Sequence, residues 1–218
     1  MICVVDYGAG NLRSVENALT QLEVPFAITS RPEDVARASA VLLPGVGHFG
    51  QMMRSLDRLG LTSVLRQAIQ SGVPYLGICL GMHALFESSE EAPALAGLGI
   101  FKGTIRRFPK GMKVPHMGWN QLEFQNSTRL FEGIAAAPFV YFAHSYYLPE
   151  SGESVIGNRE SGPNSESRIP NPETAAIAEY SFPFVAAIEH QNIAGVQFHP
   201  EKSGDLGLQM LRNFAQGR

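Results

Sequence analysis

Residues 75–83 read YLGICLGMH, an apolar run that leads straight into Cys79, with Gly77 before it and Gly81 after it. The first half predicts a β-strand ending in a sharp turn, and the second half predicts the start of a helix. A side chain at the centre of such a strand–turn–helix elbow is pushed clear of the backbone, with main-chain amides beside it. Cys79 is therefore either an activated nucleophile or a small buried residue in an ordinary α/β turn. The stretch on its own does not choose between them.

Outward from the elbow, short apolar runs alternate with helical patterns. ICVVD (2–6), FAIT (26–29), AVLLP (40–44) and PYLGIC (74–79) read as strands. NLRSVENALTQL (11–22), Pro32 to Ala38, QMMRSLDRL and TSVLRQAIQSG read as helices. This order calls for a parallel sheet with right-handed crossovers and helices on both faces. Strands buried on both sides are continuous apolar runs, as these are.

After Gly97 the texture changes. GIFKGTIRRF, QLEFQ, FVYFAHSYYL, AAIAEYS, FVAAIEH and IAGVQF read as strands without long helices between them, and GDLGLQMLRNFAQ (204–216) as a closing helix. The expected fold is α/β: a three-layer sandwich with a central, mostly parallel sheet, helices on both faces and an antiparallel or mixed extension in the second half. Residues 157–173, rich in Gly, Pro, Ser, Asn and charge, read as an exposed loop too short to be a domain linker. Residues 1–218 are read as a single domain.

Composition removes several function classes. With 44% hydrophobic and 17% charged residues the chain is globular, and a net charge of −3 without a basic block argues against nucleic acid. No uncharged apolar stretch reaches about 18 residues, so no membrane span is expected. Asp6 comes too early for a signal peptide, and a reducing cytoplasmic setting is expected. Cys3, within MICVVDY, reads as a small buried hydrophobe, and two cysteines make no disulfide framework. YGAGNLRS (7–14) resembles a dinucleotide turn but has Arg13 where the third glycine belongs. Ile28, Thr29 and Ser30 stand where its acidic residue belongs, so it reads as a tight turn into a helix. The histidines lack ligand spacing, and no metal or cofactor is expected.

A cysteine nucleophile needs a base. Of the six histidines (His48, His83, His116, His144, His190 and His199), His199 ends an apolar strand in GVQFHPEKS, with Glu201 two residues on. Residues two apart in an extended segment share a side, so the Glu201 carboxylate can reach the ring, fix its tautomer and stabilise the imidazolium. The candidate catalytic set is Cys79, His199 and Glu201.

GICLGMH followed downstream by HPE resembles the class I glutamine amidotransferases, the triad glutaminases. VVDYGAGNLRSVENAL, LLPGVGHFGQMM, PHMGWNQL, YFAHSYY and GVQFHPEKS extend the resemblance over residues 1–215, apart from 157–173. The resemblance implies that Cys79 attacks the carboxamide of glutamine to form a glutamyl thioester. His199 then protonates the leaving ammonia and activates water. It implies one oxyanion donor in the amide of Leu80, next after the nucleophile, and a second from PGVG, at Val46 or Gly47, with Gly45 and Gly47 allowing the peptide to flip. It places Gly45, His83, Ser145 and Tyr146 near bound glutamine, although the family usually has glutamine where His83 stands. Trp119, Tyr141 and Lys202 are implied to face a cyclase subunit on a separate polypeptide, which takes the ammonia within a heterodimer of amino-acid biosynthesis. A related subunit serving a surface-sugar pathway stays open, as does a degenerate amidotransferase acting as a scaffold, with His83 as a mark of decay.

Overall fold

The computed structural model describes residues 1–8, 12–150 and 171–217. All four residues of β1 (Ile2–Val5) are buried, and their alternation divides them between two cores. Ile2 and Val4 pack with Val15 and Leu19 of α1 (Leu12–Gln21) and with Met210 and Phe214 of α6 (Gly204–Gln216). Cys3 and Val5 pack with Val35 of α2 (Pro32–Ala36), Met52 and Leu56 of α3 (Phe49–Arg58) and Leu65 of α4 (Leu61–Gln70). A sheet apolar on both faces needs a helical layer on each, and this produces the expected three-layer sandwich.

The remaining strands are β2 (Phe26–Thr29), β3 (Ala40–Gly45), β4 (Tyr75–Cys79), β5 (Phe86–Ser89), β6 (Phe101–Arg107), β7 (His116–Gln121), β8 (Glu123–Phe124), β9 (Phe139–His144), β10 (Tyr146–Tyr147), β11 (Glu173–Glu179), β12 (Pro183–His190) and β13 (Ile193–Val196). The main sheet runs β2-β1-β3-β4-β13-β12-β11-β8. Neighbours from β2 through β13 are parallel, and the pairs from β13 to β8 are antiparallel. The chain leaves β4, builds the far edge and returns to insert β13 beside β4, with Val196 opposite Ile78. The carboxyl ends of β3, β4 and β13 thus lie side by side, which is where open α/β sheets place their chemistry. Two smaller sheets flank this edge, β10-β6-β5 and the antiparallel ribbon β7–β9.

Two local expectations change, and one strand lies where none was read. The elbow helix, α5 (Leu80–His83), is a single turn followed by β5. The next carbonyls, Ala84 and Leu85, accept from Leu98 N (2.6 Å) and Ile100 N (2.9 Å), so they are not available to prolong the helix. HMGWNQ is the strand β7, because His116 to Gln121 pair residue by residue with His144 to Phe139. Glu173, read as the end of a loop, begins β11, and residues 157–170 of that loop lie outside the described residues. The turn residues 9–11 also lie outside them.

Candidate active site

Cys79, the last residue of β4 and the one before α5, is at φ 53° and ψ −107°, a conformation a side chain rarely adopts. Backbone strain persists where the surroundings over-determine it, and here they do. A Cβ on Gly81 would collide with the Leu43 carbonyl, and one on Gly77 with the Gly81 carbonyl. The elbow is therefore wedged against β3 and β4, with Tyr75 Oη donating to Gly81 O at 2.9 Å.

His199, just beyond β13, is 2% exposed, and its Nδ1 lies 2.8 Å from Glu201 Oε1, itself buried. A carboxylate accepts, so Nδ1–H donates and Nε2 is left for Cys79. Burial works against charge on the ring, but the hydrogen bonds and charges of Cys79 and Glu201 outweigh it and push His199 up to about 10. The backbone of His199 is fixed as firmly as its ring. Its N–H donates to Tyr141 O (2.8 Å) and its carbonyl accepts from Ser203 Oγ (2.7 Å), which accepts in turn from Tyr141 N (3.0 Å). The structure thus brings Cys79, His199 and Glu201 together.

Gly45 is paired with Cys79 across β3 and β4, and Gly47 follows at φ 98°. Val46 O accepts a long bond of 3.5 Å from Tyr7 Oη, which turns the amide of Gly47 the opposite way in the planar trans peptide. The start of α3, directly beyond, is held by Glu91 Oε2, which accepts from Phe49 N at 2.7 Å. Tyr146 lies close enough to Glu91 that, after burial, the Glu91 charge is the next cause raising its hydroxyl pKa. Ser145, preceding Tyr146, is tied to Phe108 N through its carbonyl. His83 is buried, and its Nε2 meets Gln197 Oε1 at 2.7 Å.

On the neighbouring ribbon, Trp119 and Tyr141 are paired and their rings stand edge to face at 6.3 Å. Lys202 Nζ is 5.7 Å from the Tyr141 ring centroid. Trp119 (58% exposed), Met117 and Phe139 make an exposed apolar face, with Trp119 paired directly to Tyr141, whose backbone anchors His199. Cys3 is buried in the sheet, and burial with the nearby Asp34 charge pushes its thiol up to about 11, as an inert core cysteine requires.

Sequence reasoning missed Gln197 and Ser203. Gln197 had a signal, since it is a polar residue in an apolar strand, two before His199 and so on the same side. It also missed the relay in which Asn120 Nδ2 meets His116 Nε2 (3.3 Å), His116 Nδ1 meets His144 Nε2 (3.0 Å), and His144 Nδ1 meets Tyr146 O (2.8 Å).

The model of the family Glutamine amidotransferase class-I matches residues 3–217. The chain is a class I glutamine amidotransferase. Among its relatives are proteins named imidazole glycerol phosphate synthase subunit HisH. That of Moorella thermoacetica is 42% identical over 215 residues (99% of this chain, 94% of the relative), and that of Methanothermobacter thermautotrophicus is 43% identical over 216 (99% and 98%). The fold is shared with a crystal structure described as glutamine amidotransferase, at a TM-score of 0.70 and 18% identity over 98% of this chain and 99% of that one. It is also shared with the glutaminase domain of Trypanosoma brucei CTPS, at 0.66 and 17% over 99% and 93%. As an amidotransferase of this family the chain is an enzyme. No helix among the described residues is long and apolar enough to cross a membrane.

Proposed function

We propose that this amidotransferase is the glutaminase subunit of an imidazole glycerol phosphate synthase in histidine biosynthesis, working in the cytoplasm. It hydrolyses glutamine to glutamate and ammonia and passes the ammonia to a cyclase subunit in a heterodimer. The observation that carries the chemistry is the buried His199–Glu201 pair at 2.8 Å, poised on Cys79 at the strained elbow. The names of relatives matched over almost their whole length support the pathway, and favour it over a surface-sugar route or an inactive scaffold.

Cys79 Sγ attacks the carboxamide carbon, and the tetrahedral oxyanion is bound by the amide of Leu80 and by a donor from Val46 or Gly47. Collapse expels ammonia with a proton from His199 and leaves the glutamyl thioester. His199 then takes a proton from water, which attacks the thioester and frees glutamate and the thiol. Gly45, Ser145 and Tyr146 line the glutamine site in this reading, and His83 acts on it through Gln197. Trp119, Tyr141 and Lys202 form the seat for the cyclase subunit, since large aromatics with an exposed apolar face suit a buried contact.

The test is glutaminase activity measured with and without a cyclase subunit and its nucleotide substrate. Glutamine-dependent formation of imidazole glycerol phosphate by the pair is the expected result. Glutamine turnover with no transfer to that acceptor would redirect the pathway.

A further inference from the structure

The triad explains Cys79, His199 and Glu201, but a buried amide also touches the sulphur. Gln197 is 0% exposed, and its Nε2 lies 3.6 Å from Cys79 Sγ while its Oε1 is 2.7 Å from His83 Nε2. An amide nitrogen has no lone pair to offer, so it donates to sulphur, and the amide oxygen accepts from His83 Nε2–H. Burial drives the His83 imidazole down to about 4, with the Gln197 bond opposing, so the ring is neutral at pH 7 and carries one proton. With that proton on Nε2, Nδ1 is a bare acceptor. It is in fact buried with no hydrogen-bond partner among the described residues. The opposite tautomer would set two lone pairs against each other at 2.7 Å. One arrangement of hydrogens fits.

We propose that Gln197 is a positioning residue for the nucleophile: His83 fixes its amide so that Nε2–H donates to the Cys79 sulphur, a second donor beside His199. The proposal rests on Cys79 being the nucleophile. A donor to sulphur binds thiolate more strongly than thiol, so it favours the attacking form. It also accounts for the residue at 83, because histidine, like glutamine, offers the N–H that Gln197 Oε1 needs, and an apolar residue would let the amide turn its oxygen toward sulphur.

The titratable groups around Cys79 are His199 with Glu201 behind it, Tyr7, and, through Gln197, His83, with His144 among the same histidines. Burial, with the Cys79 and Asp6 charges adding and the Val46 bond opposing, pushes Tyr7 up to about 12, and burial holds His83 and His144 down. Near neutral pH these three stay uncharged, so a change in the pH dependence of Cys79 reports on the Cys79–His199 pair and its donors.

The experiment is iodoacetamide alkylation of Cys79, located by peptide mass spectrometry to separate it from Cys3, across the neutral and alkaline range. Wild type, Gln197→Leu, His83→Leu and His83→Gln are compared, each shown to be folded by near-UV circular dichroism. Gln197→Leu and His83→Leu should move the half-maximal pH up by about one unit, a roughly tenfold loss of reactive thiolate at neutral pH, as for a hydrogen bond to a charged group. His83→Gln should stay on the wild-type curve. The proposal is overturned if Gln197→Leu superimposes on wild type, or if His83→Gln moves as far as His83→Leu. Should Gln197→Leu not fold, the two variants at 83 decide alone. Alkylating the wild-type complex separates the two readings. Glutamine turnover that survives full alkylation of Cys79 sinks the nucleophile and the proposal together, whereas superimposed profiles with turnover lost sink only the proposal.

Discussion

In the proposed reaction Cys79 and His199 are a thiol and a base that share a proton in a nearly dry place. Serine is a far weaker nucleophile at neutral pH than a paired thiolate. Cys79→Ser should therefore lower glutamine turnover by several orders of magnitude while leaving the circular dichroism spectrum and ammonia-dependent synthesis by the complex intact, because the proposed heterodimer has its acceptor site on the cyclase subunit. Glu201 acts through His199. Its replacement by glutamine keeps the shape but loses the charge, and turnover should fall by roughly 10⁴-fold, the size seen when such an orienting carboxylate is neutralised. The same pair makes stability depend on pH. His199 is raised from an ordinary 6.5 to about 10, so the folded chain holds a proton there that the unfolded chain releases. That contribution is fully present below pH 6.5 and is lost as pH rises toward 10. Denaturant unfolding at acid, neutral and alkaline pH should show wild type losing stability across this window more steeply than Glu201→Gln. Parallel pH dependences would show that the Glu201 charge does not hold the His199 proton.

At the scale of elements, the wedge formed by β3, β4 and α5 holds the elbow. Gly81 has no room for a Cβ against the Leu43 carbonyl, which is backbone and cannot step aside. Gly81→Ala should thus cost about 1–3 kcal/mol as overpacking, or roughly 2–12 °C in Tm for a chain of this size, and should slow Cys79 alkylation by displacing the elbow. An unchanged melting curve would mean that the strands part more easily than their packing suggests. This wedge was half legible in the sequence. GxCxG announced a tight turn, and the apolar runs of β1, β3 and β4 announced a sheet covered on both faces, because those signals are local. The single turn of α5 was not legible, since its carbonyls are claimed by Leu98 and Ile100, whose approach depends on tertiary structure. Similarly, GVQFHPEKS marked His199 as the end of a strand, but nothing local says that β13 inserts beside β4. Gln197 betrayed itself as a polar residue in an apolar strand, yet its meaning required His83, far away in the chain.

At the scale of the molecule, the triad and the proposed partner face share a backbone. Tyr141 presents its ring beside Trp119 and Lys202 on the outside, and its carbonyl accepts the N–H of His199 on the inside. Pressure on the β7–β9 ribbon therefore reaches His199, the proposed base, through one hydrogen bond and the Ser203 bridge. PGVG is the other movable part, with Gly47 at a positive φ of 98° and Val46 O accepting, among the described residues, a long bond of 3.5 Å from Tyr7 Oη. A second donor at an oxyanion is worth roughly 10²–10³ in rate, so turning one peptide is an effective switch. The lone chain should accordingly show low glutaminase activity, rising by about that factor when the cyclase subunit and its substrate bind. Trp119, 58% exposed at the centre of the apolar face, should anchor that contact. Trp119→Ala should weaken binding by about 2 kcal/mol, roughly thirtyfold in Kd by calorimetry, and raise the cyclase concentration needed for activation in proportion. If Kd weakened while the activation curve stayed in place, the ribbon would hold the partner without signalling to His199, and the switch would have to reach PGVG by another route.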